Sequence, residues 1–211
     1  MDSLIEVRSS DIEGLKPEEL TQLLKCLLEC ETHQNGISPL IIRVGQNIYT
    51  PDDGVDAEIK WEGKPSSTDF LSSRFTIFQI KATKVKPSNC KSEIIKKSVI
   101  EALSKGATYV VFVNKNYNKV QQDKMLSAMQ EALKQFKKSQ FNKKQIQIFD
   151  ASKIATWVNH YLVAIHQVST WLTLPNQHYK VIDELGYYSN FSIPFLVDAK
   201  RQEIISKLNA D

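Results

Sequence analysis

Three polar side chains stand at what read as the ends of two strands: Asp56 in DDGVDAEIKW, and Gln79 and Lys81 in FQIKA. Gln79 and Lys81 are two residues apart, so on a strand they point to the same face. If the two strands pair as neighbours, all three groups converge at one end of a sheet. A carboxylate and an amide oxygen are hard ligands suited to Mg²⁺, which keeps several waters and usually takes one or two carboxylates plus substrate phosphate oxygens. A lysine beside such an ion can orient an attacking water and neutralise charge developing on a scissile phosphate. The chemistry this set would perform is phosphodiester hydrolysis.

Each residue also has a plainer reading. Asp53, in the DDG turn, is accounted for by side-chain bonding to its own backbone. Gln79 lies among Ile77, Phe78 and Ile80, where an unpaired buried amide would cost about 1–3 kcal/mol. It therefore needs partners, unless its side of the strand faces solvent. Lys81 raises the same question with a charge attached.

The elements that must hold these groups follow from periodicity. Residues 16–31 read as a helix with Pro17 near its start and Leu20, Leu23, Leu24, Leu27 and Leu28 as one apolar stripe. Residues 38–49 read as a strand with a turn at Gly45, and 54–61 as a second strand with Ala57, Ile59 and Trp61 on one face. A third strand is expected over 74–83, then a helix over 90–106 stopped by Gly106. The run 107–115 is nearly all apolar, the pattern of a strand buried on both faces. A helix over 121–138, a strand over 144–150 and a long helix over 154–172, broken near Ser169, complete the core. The order α-β-β-β-α-β-α-β predicts an α/β fold, a mixed central β-sheet flanked by helices on both faces. Residues 1–172 form the predicted domain. Residues 173–211, irregular to about Ile193 and then helical over 198–211, read as a helical C-terminal extension or a linker to a downstream domain.

Composition narrows the class. A chain of 211 residues with 42% hydrophobic content can fill a core without staples. Cys26, Cys30 and Cys90 make an odd number with no C-x-x-C, and no secretory leader precedes them, which points to the cytoplasm. No apolar run approaches the roughly 20 residues that cross a bilayer, so no membrane association is expected. Net charge is +3, yet the 27 basic residues, mostly lysines, cluster in segments that can attract a polyanion or simply solvate a surface. Cys26 and Cys30, with His33 nearby, lack the second pair a zinc site needs. His160 and His166 read as ordinary helix histidines. Trp157, Tyr161 and Trp171 could stack on bases, but their helical spacing favours packing. No Gly-rich phosphate loop and no G-x-S-x-G elbow is present.

Over roughly residues 15–160 the chain resembles the PD-(D/E)xK nuclease superfamily, the restriction-endonuclease-like fold. It is most similar to the Mrr-type branch, in which glutamine replaces the second acidic residue. On the motif residues, Asp56 matches the family's aspartate, Gln79 its Gln/Glu and Lys81 its lysine. The resemblance implies Mg²⁺-dependent DNA cleavage, with Mn²⁺ as a substitute: Asp56 and the Gln79 carbonyl oxygen hold the ion, and a water near Lys81 attacks in line to leave a 5′-phosphate. Members of the superfamily often add a glutamate from the first helix. Glu19 is the residue for that role here, with Thr21 as the alternative occupant. Lys84, Lys86 and Lys91, which follow the active strand, are the expected contacts to the DNA backbone. A homodimer or higher homo-oligomer would let two centres cut both strands, and a downstream sensor or ATPase module, as in bacterial anti-phage defence proteins, could complete the protein. No recognition helix is evident, so sequence specificity should be low. The alternatives are a nuclease-like fold that has lost catalysis and serves as a DNA-binding or oligomerisation module, and a protein-interaction domain with a lysine-rich surface.

Overall fold

The leucine stripe forms α2 (Pro17–Gln34), with all five leucines fully buried and proline at its first turn. A short helix, α1 (Ser9–Glu13), precedes it and was not legible in the sequence. The computed structural model describes residues 6–45, 54–135 and 141–172. Within them a five-stranded sheet runs in the order β1 (Pro39–Val44), β2 (Ala57–Trp61), β3 (Phe75–Lys81), β4 (Thr108–Val113), β5 (Ile146–Phe149). The first three strands form an antiparallel meander; β4 pairs parallel to β3 and β5 parallel to β4. This is the α/β mixed sheet flanked by helices that the element order predicts.

Two apolar layers clamp the sheet. On one face Ala57, Ile59, Trp61, Phe78, Ile80 and Phe112 pack with α2, α6 (Ala151–Val158) and α7 (Leu162–Trp171). On the other, Ile77, Tyr109, Val111 and Val113 pack with α3 (Pro87–Ile94), α4 (Lys97–Ser104) and α5 (Lys119–Lys134). Strand β2 alternates buried and half-buried as expected, and every residue of β4 is buried.

Two helices differ from expectation. The run 90–106 is two helices, because Lys96 adopts an extended conformation and caps α4. Cys90 and Ile94 supply the buried stripe of α3, but an unbroken helix would carry that stripe to the polar Lys97 and Ser98; the break re-phases Val99, Ala102 and Leu103 onto the core. Gly106, at φ +86°, follows the end of α4 as predicted. The long helix over 154–172 starts earlier, at Ala151, where Asp150 caps it through Lys153 N–H at 3.1 Å. It breaks around Asn159 rather than at Ser169, which lies buried inside α7. There the Asn159 amide both accepts from and donates to the Val7 backbone, each at 2.9 Å, drawing the chain off its helical path.

The chain divides into two compact units, Met1–Leu174 and Pro175–Asp211. The expectations for 173–211, for Asp53 and for the ends of the first strand and of the 121–138 helix lie outside the described residues. Among the described residues, no helix is long and apolar enough to cross a membrane.

Candidate active site

The site forms where β2 begins. Asp56 precedes that strand by one residue, and its N–H donates to Phe78 O at 2.9 Å, which holds it in register with β3. Its side chain then takes the place of the next ladder carbonyl: Oδ2 accepts from Ile80 N–H at 2.6 Å. Gln79 Nε2 donates to the same oxygen at 3.2 Å. Asp56 Oδ1 carries no hydrogen bond among the described residues.

Gln79 is 3% exposed, and the other end of its amide is also satisfied, since Oε1 accepts from the Tyr109 hydroxyl of β4 at 3.2 Å. Lys81, two residues on and on the same face, points its ammonium at Glu93 Oε1, 3.4 Å away on α3. The second oxygen of Glu93 is ion-paired with Lys96. The structure therefore brings Asp56, Gln79 and Lys81 together, and adds Glu93.

A close approach fixes the turn before Asp56. Gly54 has φ +91°, and a Cβ there would lie 2.7 Å from Lys96 Cδ and 3.1 Å from Val99 Cγ2. Only glycine combines that backbone angle with that contact. The lysine packed against Gly54 is thus the one that holds Glu93, which in turn holds Lys81.

Burial pushes the Asp56 carboxyl above its ordinary range, opposed by the Ile80 N–H, the Lys81 charge and the Gln79 amide, while Glu93 adds to the rise. Burial likewise raises the Tyr109 hydroxyl well above its usual value, so it remains a neutral hydrogen-bonding group. Beside Asp56 a groove of about 470 Å³ opens between the sheet and α4, lined by Arg43, Glu58, Phe75, Ile77 and Lys105 among others.

Of Asp56 and Glu93, Asp56 is the carboxylate that lines the groove and could meet a hydrated Mg²⁺. No group of three or more His, Cys, Asp or Glu side chains among the described residues could by itself hold a metal. Asp56 and Glu93 nevertheless supply two carboxylates, the number Mg²⁺ commonly takes beside waters and phosphate oxygens. As it lies, Gln79 presents its nitrogen to Asp56. For its oxygen to share an ion with Asp56 the amide must turn over, and Tyr109 permits this because a hydroxyl accepts as readily as it donates.

Other expected residues fall elsewhere. Glu19 is not brought to the cluster: its carboxylate accepts from Lys16 N–H at 2.7 Å and pairs with Lys16 Nζ at 3.9 Å, capping the first turn of α2. The stripe of that helix packs on the sheet face opposite Gln79. Thr21, the alternative, donates to Pro17 O at 2.9 Å within its own helix. Lys84, Lys86 and Lys91 are exposed around the start and along the length of α3. Trp157 and Tyr161 are buried donors to Glu31, so neither offers a face for stacking on bases, and Trp171 is half-buried. Cys26 and Cys30 lie with sulfurs 4.0 Å apart.

Glu93 was missed because its role depends on α3 folding back over β3. One signal was available: it is the sole acidic residue among the six lysines from Lys81 to Lys97. Comparison with protein-family models, with curated proteins and with solved structures returns no match.

Proposed function

We propose that this chain is a divalent-cation-dependent endonuclease that hydrolyses DNA phosphodiester bonds, with Asp56, Gln79 and Lys81 as its reacting groups. The observation that carries the reading is the buried Gln79 amide, 3% exposed, bonded to the Asp56 carboxylate, with Lys81 two residues on along the same strand face and its charge felt at Asp56. A glutamine, a carboxylate and a lysine held on one rim of a sheet, beside an open groove, are more than core packing requires.

Asp56, with its amide turned Gln79 neighbour, would hold the Mg²⁺, for which Mn²⁺ would substitute. When bound, that ion supplies positive charge against the developing phosphorane-like oxygens. Lys81 orients the attacking water and adds its own positive charge at the same place. The Ile80 N–H fixes the Asp56 carboxylate, and the Tyr109 hydroxyl, which donates to the Gln79 oxygen in the metal-free protein, would accept from the amide nitrogen once the amide has turned. Lys84, Lys86 and Lys91 bind the DNA backbone and give no sequence preference. The restriction-endonuclease-like core, cytoplasmic location, a homodimeric arrangement that cuts both strands and a downstream sensor or ATPase module belong to the same reading.

One observation favours the second reading, an inactive DNA-binding or oligomerisation module: the polar groups of the cluster satisfy one another, as they would in a purely structural network. Plasmid cleavage decides between them. Supercoiled plasmid is incubated with the full chain over a wide protein range, with Mg²⁺ or Mn²⁺, with EDTA, and with Lys81→Ala. Nicking that requires the metal and is lost in Lys81→Ala supports the nuclease; salt-sensitive DNA binding with no nicking at any concentration supports the inactive module.

A further inference from the structure

We propose that Glu93 is a metal-binding carboxylate of this site, held by Lys81 and Lys96 in the metal-free protein and turning to share a divalent cation with Asp56 when one binds. The inference rests on the nuclease reading of the site and deepens it.

The strand pair offers two carboxylates on the face of the site, Asp56 and Glu58, but Glu58 Oε2 is paired with Arg43 at 2.9 Å across to β1, away from Lys81. Asp56 Oδ2 is already committed to Ile80 N–H and Gln79 Nε2, which leaves one oxygen for a cation. A lone carboxylate oxygen and a neutral amide do little to offset the cost of stripping water from Mg²⁺. Glu93 is the acidic side chain that α3 returns to the same rim. Its Oε1 lies 3.4 Å from Lys81 Nζ, on the sheet face that also carries Gln79 and Tyr109.

The Lys81 side of Glu93 fits an exchangeable ligand, while the Lys96 side is a pin. The Glu93 side chain is 19% exposed and its two partners are 30% and 38% exposed, although Oε2, the oxygen paired with Lys96, is buried. The Lys81 contact, at 3.4 Å, is long for a charge-assisted bond, which normally runs at about 2.7–2.9 Å. Rotation about the glutamate side-chain torsions moves its carboxylate without moving α3. Lys96, by contrast, is packed against Gly54 in the turn leading to Asp56, so its pair with Glu93 brings that carboxylate to the turn, and the Glu93 charge is felt at Asp56. Surrendering Glu93 to a cation would also leave Lys81 free to face the attacking water. The metal-free ion pair thus keeps the lysine in place without a cation and gives it up with one.

The test is metal binding by the full chain, read without cleavage. Mn²⁺ affinity is measured by calorimetry for wild type, Glu93→Gln and Lys81→Met, with thermal melts of each. Loss of a ligand should weaken Mn²⁺ binding by at least about tenfold in Glu93→Gln, while Lys81→Met, which removes only a competitor for Glu93, binds at least as tightly as wild type. Glu93→Gln affinity within about twofold of wild type overturns the proposal, as does an equal loss in Lys81→Met, which would mark Glu93 as a structural pin. A second measurement needs no variant: in the wild-type chain the Glu93 carboxyl ¹³C resonance should move with that of Asp56 on Mg²⁺ titration, and a stationary Glu93 signal overturns the proposal. The two readings fail separately. Metal binding through Glu93 without plasmid cutting rejects the nuclease and keeps the ligand; cutting with Mn²⁺ affinity independent of Glu93 does the reverse.

Discussion

Replacing Asp56 by alanine and by asparagine separates a reacting carboxylate from one that merely ends a strand. In Asp56→Ala, Ile80 N–H and Gln79 Nε2 both lose their acceptor. Each unpaired buried donor costs about 1–3 kcal/mol, giving about 2–6 kcal/mol for the pair. Part of that is recovered, because a carboxylate whose burial outweighs its hydrogen bonds and its neighbouring lysine is itself destabilising when charged. A net loss of about 1–3 kcal/mol lowers Tm by about 2–12 °C for a chain of this size. Asp56→Asn keeps an oxygen for Ile80 N–H and removes the charge. The sign with pH follows from the raised folded value. The proton is held more tightly in the folded than in the unfolded chain, so the stability it contributes is complete below the ordinary value of 3.8 and is lost as pH rises through the folded value. The asparagine protein carries no such loss and should gain on wild type in melts taken from acid to neutral pH. Both variants should nonetheless be inactive on supercoiled plasmid with Mg²⁺, because neither offers an anionic ligand at position 56 and Glu93 alone leaves one carboxylate. An asparagine protein that cuts at the wild-type rate refutes the catalytic reading of Asp56, and one that melts progressively below wild type toward neutral pH refutes the electrostatic argument.

Other expectations follow from the same contacts. Lys81→Ala should cost no more than about 1 kcal/mol, since the pair is part-exposed and Glu93 keeps Lys96, so its loss of plasmid cutting will not reflect unfolding; a melt shows this directly. Glu31, 1% exposed, accepts from Trp157 Nε1 at 2.8 Å and Tyr161 OH at 2.6 Å. Glu31→Ala should therefore lose about 2–5 kcal/mol in urea unfolding, and Glu31→Gln, which keeps an acceptor oxygen, about 1 kcal/mol. Gly54→Ala should lose at least about 1–2 kcal/mol from its positive φ and should also reduce plasmid cutting by displacing Lys96. Replacing Lys84, Lys86 and Lys91 by alanine one at a time should each flatten the log–log salt dependence of DNA binding by about 0.9; an unchanged slope removes that lysine from the interface.

The parts of the fold that were legible in the sequence are those where one local pattern decides the outcome. The alternation of Ala57, Ile59 and Trp61 gives β2 its inner face, the apolar run through β4 gives a strand with no exposed side, and the element order leaves few ways to arrange a meander followed by crossovers. The same-face placement of Gln79 and Lys81 follows from strand geometry, and their meeting with Asp56 needs only that β2 and β3 pair. What was not legible depends on partners distant in the chain. The break at Lys96 serves packing of Val99 and Leu103 against the sheet, and the break at Asn159 serves a bond to Val7. Glu19 fits the resemblance by position, but its carboxylate is captured three residues away by Lys16 N–H, where local capping outcompetes a distant role.

The two sheet faces carry different burdens, which makes the predictions separable. Asp56, Gln79, Lys81, Tyr109 and Glu93 all belong to the side covered by α3, α4 and α5, where Gln79 and Tyr109 are buried, Lys81 and Glu93 are part-exposed, and Asp56 lines a groove. The opposite side is a dense layer of leucines and aromatics pinned by Glu31 to α6 and α7. Strain at the rim, including a buried carboxylate and two lysines sharing one glutamate, is tolerable because the opposite layer supplies the stability that the rim lacks. Glu31→Ala should then lower Tm while leaving the initial rate of plasmid cutting, measured well below the melt, within about twofold of wild type. If cutting falls in proportion to stability even in the cold, the faces are coupled through the strands, and the separation argued from their packing is wrong.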